Sequence, residues 1–202
     1  MKGFQIANLE TLIESIGEDR ACALFADYSC PMNADIEDFL LRKAPIFSKQ
    51  GLAKTYLVFA GYRDAVVLVG YFTLAYKTFY IRGSGSLSAK MRGRIKKFAR
   101  VIPETGNYEL SAPLIAQLGK NYTNDHGKLI TGDELLQLAC DKISNLHTLV
   151  GGKSAFVECE DKAALVAFYA RNGFKEFDRR PADNTDKAKK DHMEYVQMIR
   201  YF

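Results

Sequence analysis

The sequence predicts a mixed α+β fold in one domain spanning residues 1–202. Three observations predict it. Apolar residues near the N-terminus recur at helical spacing, two long β-rich runs flank a short polar turn, and the second half reads strand–loop–helix–strand–helix. At 202 residues the chain suits a single domain. Its 48% hydrophobic and 26% charged residues exclude a chain too polar to bury a core.

Leu9, Leu12, Ile13 and Ile16 line one face of a helix expected over residues 8–19. A strand is expected around Ala21–Tyr28. After Cys30-Pro31, the run from Asn33 to Leu41 is amphipathic, with Asn33 or Asp35 as its cap. Leu52–Ala60 and Ala65–Tyr76 are β-branched and aromatic, and Gly61-Tyr62-Arg63-Asp64 between them reads as a hairpin turn. Tyr108–Leu118 is again strand-like, Lys120–Gly132 is a polar loop, and Asp133–Ser144 is a helix. Ser154–Glu158 is a strand, Lys162–Arg171 a helix and Lys175–Phe177 a short strand. A charged loop at Arg179–His192 precedes the terminal strand Glu194–Phe202.

The longest apolar runs fall short of the ~20 residues that cross a bilayer, so no membrane association is expected. Met1–Arg20 carries Glu10, Glu14, Glu18 and Asp19 and lacks the apolar stretch of a signal peptide. Cys22, Cys30, Cys140 and Cys159 form no CxxC pair and no metal-ligand spacing. Reduced thiols, a cytoplasmic protein and no bound metal are the expectations. The formal charge of +4 permits an anionic partner without requiring one.

The passage from Pro113–Leu118 through the polar loop into Gly132-Asp133-Glu134-Leu135-Leu136 has the form of an anion site. A loop entering a helix N-terminus offers unpaired N–H groups and the positive end of the dipole, and Lys128 and Thr131 add a charge and a hydroxyl. The same passage also reads as an ordinary strand-to-helix connection. It is not a nucleotide P-loop, because G-x-x-x-x-G-K-[ST] is absent. In Ala164–Phe174, a helix stops on Asn172-Gly173, and Phe168 and Tyr169 share its last turn, so one ring can face the core and the other a cleft. A tyrosine there packs, or donates a proton. Arg82, Lys90, Arg92, Arg94, Lys96, Lys97 and Arg100 form a basic segment with no acid before Glu104; such a run is a solvated face or a phosphate contact. His126 reads as a solvated loop histidine, and Cys140 as a core residue.

Phe168-Tyr169-Ala170-Arg171-Asn172-Gly173-Phe174 resembles the F-Y-x-x-x-G-F signature of the GNAT superfamily of acetyl-CoA-dependent N-acetyltransferases. Gly127-Lys128-Leu129-Ile130-Thr131-Gly132-Asp133-Glu134-Leu135-Leu136 resembles that family's pyrophosphate segment, [QR]-x-x-G-x-[GA] followed by x-x-L-L. Gly127 stands where Gln or Arg is usual, Ile130 where the middle glycine is usual, and Gly132 fits. The resemblance implies a GNAT-like, mostly antiparallel twisted sheet flanked by helices. It also implies a V-shaped split between two central parallel strands, Pro113–Leu118 and Ser154–Glu158. It further implies that acetyl-CoA is bound by Gln117, Leu118 and Gly119 at its acyl end and by Gly127, Lys128, Leu129, Ile130, Thr131 and Gly132 at its pyrophosphate. N–H groups near Leu118 and Gly119 would polarise the thioester carbonyl, and Tyr169 would protonate the departing thiolate.

Within the superfamily, Asn33–Leu40, Gly51–Phe59 and Gly70–Leu74 resemble toxin-type acetyltransferases of toxin–antitoxin modules, which acetylate aminoacyl-tRNA. That likeness gives Arg92, Arg94, Lys96 and Lys97 a role as tRNA or substrate contacts. Three readings stay open. They are an N-acetyltransferase with an unassigned primary amine, a tRNA-directed toxin, and a non-catalytic nucleic-acid-binding module on the same fold. Acceptor specificity is expected in the N-terminal helices, Lys77–Asn107 and Arg179–His192. The terminal strand, with Tyr195, Tyr201 and Phe202, either pairs across a homodimer or completes its own sheet.

Overall fold

A computed structural model describes residues 3–83, 88–181 and 194–202. Eight strands of the described residues form one mixed, mostly antiparallel sheet: β1 (Gln5–Asn8), β2 (Lys54–Tyr62), β3 (Ala65–Ile81), β4 (Arg100–Ile102), β5 (Asn107–Lys120), β6 (Ser154–Glu160), β7 (Lys175–Pro181) and β8 (Glu194–Tyr201). The order is β1-β2-β3-β5-β6-β8-β7, with β4 paired to β5, and β5 and β6 run parallel. Among the described residues seven α-helices accompany it: α1 (Leu9–Ile16), α2 (Glu18–Ala23), α3 (Ala34–Asp38), α4 (Ala44–Lys49), α5 (Ala89–Ile95), α6 (Gly132–Val150) and α7 (Ala163–Arg171). A parallel pair cannot be joined by a hairpin, and α6 is the crossover helix between β5 and β6.

The chain gathers into two compact units, 1–75 with 115–142, and 76–114 with 143–202. In the first, Tyr62 pairs with Ala65 around Arg63-Asp64, the hairpin expected at this turn, and Arg63 takes φ 54°. Leu9, Phe25, Tyr28, Leu40, Leu57, Leu68 and Tyr71 form its core. Between α3 and α4, Phe39–Lys43 widens into a π turn in which Ala44 N–H donates to the Phe39 carbonyl. Pro45 follows, with no N–H to continue an ordinary ladder.

Two expectations are corrected here. Ala21–Tyr28 is not a strand. Ala21, Phe25 and Tyr28 are 0%, 1% and 3% exposed at spacings of four and three, the period of a helix and its following turn rather than of a strand. The helix expected over 8–19 breaks at Gly17, whose φ of 84° ends α1 while its N–H caps the Ile13 carbonyl at 2.9 Å. β1, too short for its alternation to register, precedes it.

In the second unit Phe79 stacks on Phe156 with ring centroids 4.0 Å apart, and Phe177 meets both edge-on. β3 continues past Tyr76 to Ile81, and β7 runs through Arg179-Arg180-Pro181, which had been assigned to a loop. Antiparallel pairing with β8 carries these charged residues into the sheet, Arg179 opposite Val196 and Arg180 opposite Tyr195. Residues 182–193 of the expected loop, with His192, lie outside the described residues. β8 lies between β6 and β7, so the terminal strand completes its own sheet and has no free edge for a partner. Among the described residues no helix is long and apolar enough to cross a membrane.

Candidate active site

In the first unit the sequence-predicted ligands lie along the end of β5 and the loop after it. Gln117 and Leu118 are half-buried and Gly119 is buried. Gly119 must be glycine: a Cβ there would collide with the Tyr28 hydroxyl and the Ile36 side chain, and would press on the Tyr71 ring at 3.3 Å. Gly70 is equally constrained, since a Cβ would lie 2.8 Å from the Gly119 carbonyl.

Residues 27–30 are tied to the loop after β5. Ser29 N–H donates to Asn121 Oδ1 at 3.2 Å, Tyr122 N–H to the Ser29 carbonyl at 2.8 Å, and Thr123 Oγ1 to the Asp27 carbonyl. Asn121 is 1% exposed; it also donates to the Leu68 carbonyl at 3.0 Å and accepts from Thr123 N–H at 3.1 Å. Glu37 Oε2 accepts the Cys30 N–H at 2.7 Å.

The loop then makes a 3₁₀ turn over Thr123–Lys128, with Asn124 and Asp125 in the left-handed region at φ 49° and 64°. Gly127 is buried, and a Cβ would lie 2.8 Å from the Asn121 carbonyl. Lys128 is exposed and pairs with Asp125 at 2.9 Å, Leu129 is half-buried, and Ile130 is 1% exposed in the core. His126 is half-buried, edge-on to Tyr62 at 5.9 Å.

Thr131 and Glu134 close a capping box at the start of α6. The Glu134 carboxylate accepts from Thr131 N–H at 2.7 Å and Thr131 Oγ1 at 2.8 Å, while Glu134 N–H donates to Thr131 Oγ1 at 3.1 Å. The Thr131 amide is therefore committed within the chain. Gly132 opens the helix, in the first turn where amides have no intrahelical carbonyl.

Tyr169 belongs to the second unit, at the end of α7. It is 9% exposed, with Phe168 edge-on at 4.9 Å and Phe174 at 5.7 Å. Gly173, at φ 85°, lets Phe174 N–H turn back to the Tyr169 carbonyl at 3.1 Å, and Asn172 Nδ2 binds the Phe168 carbonyl at 2.8 Å. The helix stop inferred from Asn172-Gly173 thus fixes the tyrosine backbone. Of the two rings in that turn, Tyr169 is buried and Phe168 half-buried, with the Arg171 guanidinium 4.9 Å from its centroid.

The second unit also holds a cavity of about 330 Å³ lined by Lys77, Arg82, Glu158, Asp178, Arg179 and Arg180. It joins two of the segments expected to set acceptor specificity. Glu158 is its centre, binding Arg180 through Nε at 2.9 Å and Nη2 at 3.0 Å, Gln197 at 2.7 Å and Lys77 at 3.2 Å. Burial would raise its carboxyl, but the hydrogen bonds from Arg180 and Gln197 and the nearby cations outweigh it and hold the pKa at about 2. In the basic segment, Arg92 is half-buried, Arg94 lies over the Tyr201 ring at 5.4 Å, and Lys96 and Lys97 are exposed. Arg82 pairs with Asp178 at 3.3 Å, so part of that segment is structural.

Sequence reasoning missed Tyr28, Asn121 and the Glu158 cluster. The capping box was missed as well, although its signal is local: Thr131-Gly132-Asp133-Glu134 is [ST]-x-x-E.

The topology and the parallel β5–β6 pair define the GNAT-like fold of acetyltransferases. Among solved structures, the chain is similar to a mutant of KacT in which one tyrosine is replaced by phenylalanine, with TM-score 0.62 and 16% identity over 96% of this chain and 94% of that one. It is similar to AtaT complexed with acetyl-methionyl-tRNAfMet, with TM-score 0.62 and 15% identity over 96% and 94%. It is also similar to an AtaT mutant toxin bound to the C-terminus of the antitoxin AtaR and acetyl-CoA, with TM-score 0.56 and 14% identity over 98% and 92%. No protein-family model and no curated protein sequence matches the chain.

Proposed function

We propose that this protein is an N-acetyltransferase that moves the acetyl group of acetyl-CoA directly to a primary amine. The observation that carries the reading is the F-Y-x-x-x-G-F segment at the end of α7 within a GNAT-like fold. The first unit is compatible with such a substrate in two places. A buried glycine near the end of β5 lies beside a buried tyrosine hydroxyl, and Gly132 opens α6. Gln117, Leu118 and Gly119 would take the acyl end, and the segment from Gly127 to Gly132 the pyrophosphate, with the Gly132 amide replacing the committed amide of Thr131.

In the reaction the amine nitrogen attacks the acetyl carbonyl carbon. The C–N bond forms, the C–S bond breaks, the nitrogen gives up a proton and the CoA thiolate gains one. Tyr169 supplies the thiolate's proton by its match to the motif tyrosine. The test is thiol release from acetyl-CoA across a panel of amines. Tyr169→Phe is expected to lower kcat about 10²-fold with acetyl-CoA affinity unchanged. Equal turnover by the mutant would remove Tyr169 from the chemistry.

A second reading takes aminoacyl-tRNA as the acceptor. Exposed Arg94, Lys96 and Lys97 support it, as does the likeness to AtaT. It predicts that aminoacyl-tRNA outcompetes small amines in the panel and that the preference falls steeply with salt. A folded protein that bound nucleic acid but no acetyl-CoA would instead favour a non-catalytic module.

A further inference from the structure

Tyr28, like Ser48 and His126 in the first unit, carries a buried and poorly paired side-chain polar atom. Tyr28 is 3% exposed, and its buried hydroxyl has the Cys30 thiol, a weak acceptor, beside it as a hydrogen-bond partner. A buried hydroxyl paired only with a thiol is poorly satisfied, and native structures retain such groups where a better partner arrives from outside or a function requires them. The surroundings hold this hydroxyl in place. The Tyr28 ring meets Tyr71 edge-on at 5.4 Å and 77°, and Tyr71 is itself fixed by donating to the Ile36 carbonyl at 2.6 Å. The next residue, Ser29, is bonded to Asn121 and Tyr122 just beyond β5. The hydroxyl therefore sits against the backbone of Gly119, in space that only a glycine leaves open.

Burial, with the neighbouring Tyr71 and Cys30, pushes the Tyr28 pKa far above its ordinary value. The group stays a protonated donor at any working pH.

We propose that Tyr28 is a further catalytic residue, its hydroxyl donating a hydrogen bond to the acetyl carbonyl oxygen held beside Gly119. This rests on the acetyl-transfer reading above. As the amine attacks, negative charge grows on that oxygen. A preorganised neutral donor in a dry site stabilises the charge without reorganising, and the proton stays on Tyr28 throughout.

The test uses Tyr28→Phe, which deletes the hydroxyl and keeps the ring. Calorimetry with acetyl-CoA and with desulfo-CoA, which has no acyl group, gives an affinity ratio that needs no acceptor. The wild type is expected to favour acetyl-CoA by about 3- to 10-fold, and Tyr28→Phe to lose that preference with desulfo-CoA affinity unchanged. Infrared spectra of isotope-labelled acetyl-CoA are expected to show the bound carbonyl stretch rising in the mutant. With a working amine, kcat falls about 10²-fold at constant acceptor KM. Thermal stability is expected to hold, because the hydroxyl removed is paired only weakly, with a thiol.

An unchanged affinity ratio and carbonyl stretch, with both ligands bound, would overturn the role of Tyr28 and leave the acetyl-transfer reading standing. A mutant that melts earlier and loses both ligands together would make Tyr28 a packing residue, overturning it too. Binding of neither ligand by the wild type would overturn the acetyl-transfer reading, and the role of Tyr28 with it.

Discussion

The two units carry polar networks of opposite character. In the first, the segment 27–30 and the loop after β5 are joined through backbone groups and the neutral amide of Asn121. In the second, the cavity around Glu158 is held by full charges, with Arg180 and Lys77 converging on one carboxylate. Neutral bonds fix geometry and are indifferent to pH and salt. A carboxylate so held ties stability to its ionisation. The link between residues 27–30 and the loop after β5 is thus made by uncharged groups, while the charged cavity responds to acid.

The largest effect should come from breaking that charge cluster. Glu158→Ala leaves the Arg180 guanidinium and the Gln197 amide without their carboxylate, a change expected to cost about 3 kcal/mol of stability in urea unfolding. Because the folded carboxyl titrates at about 2, its contribution is complete above the ordinary carboxylate range and disappears as pH falls from about 4.5 towards 2. The wild type should lose stability across that window more steeply than Glu158→Gln. Parallel slopes for the two proteins would show that Glu158 does not carry the acid response.

Asn121→Ala tests the other network. It removes an acceptor from the Ser29 and Thr123 amides and a donor from the Leu68 carbonyl, all in a buried setting. About 2 kcal/mol should be lost, with no dependence on salt or on pH between 5 and 8. A loss that shrinks in high salt would blur the contrast between the units.

Much of the fold was legible because its periods are clean. The hairpin at Gly61–Asp64, the helix stop at Asn172-Gly173 and the order of strands in the second half follow from turn chemistry and apolar spacing that tertiary contacts did not override. Ala21–Tyr28 misled because Ala, Phe and Tyr suit a strand as well as a helix, and only burial at four-and-three spacing separates the two. In the candidate site, Tyr169 and Gly119 announce themselves by motif and position. Tyr28, Asn121 and Glu158 do not, because what distinguishes them is their partners across the fold. Asn121 meets Ser29 from 92 positions away, and Glu158 meets Arg180 and Gln197 from other strands. No local pattern encodes such a meeting.

The smallest predicted effect sharpens the comparison at one point where the first unit does use charge. Glu134 places a carboxylate at the mouth of α6, where the resemblance puts a pyrophosphate. Its charge favours the helix dipole and opposes an incoming anion by the same Coulomb term. Glu134→Gln separates cap from charge, since glutamine also closes a capping box through its carbonyl oxygen. The mutant should lose about 0.5 kcal/mol of stability and bind acetyl-CoA about 2- to 5-fold more tightly at low salt, the gain fading as ionic strength rises. Calorimetry at two salt concentrations measures both affinities. Weaker binding by the glutamine variant would mean that Glu134 orders the loop for the ligand rather than competing with it, and the pyrophosphate would then have to be sought away from the first turn of α6.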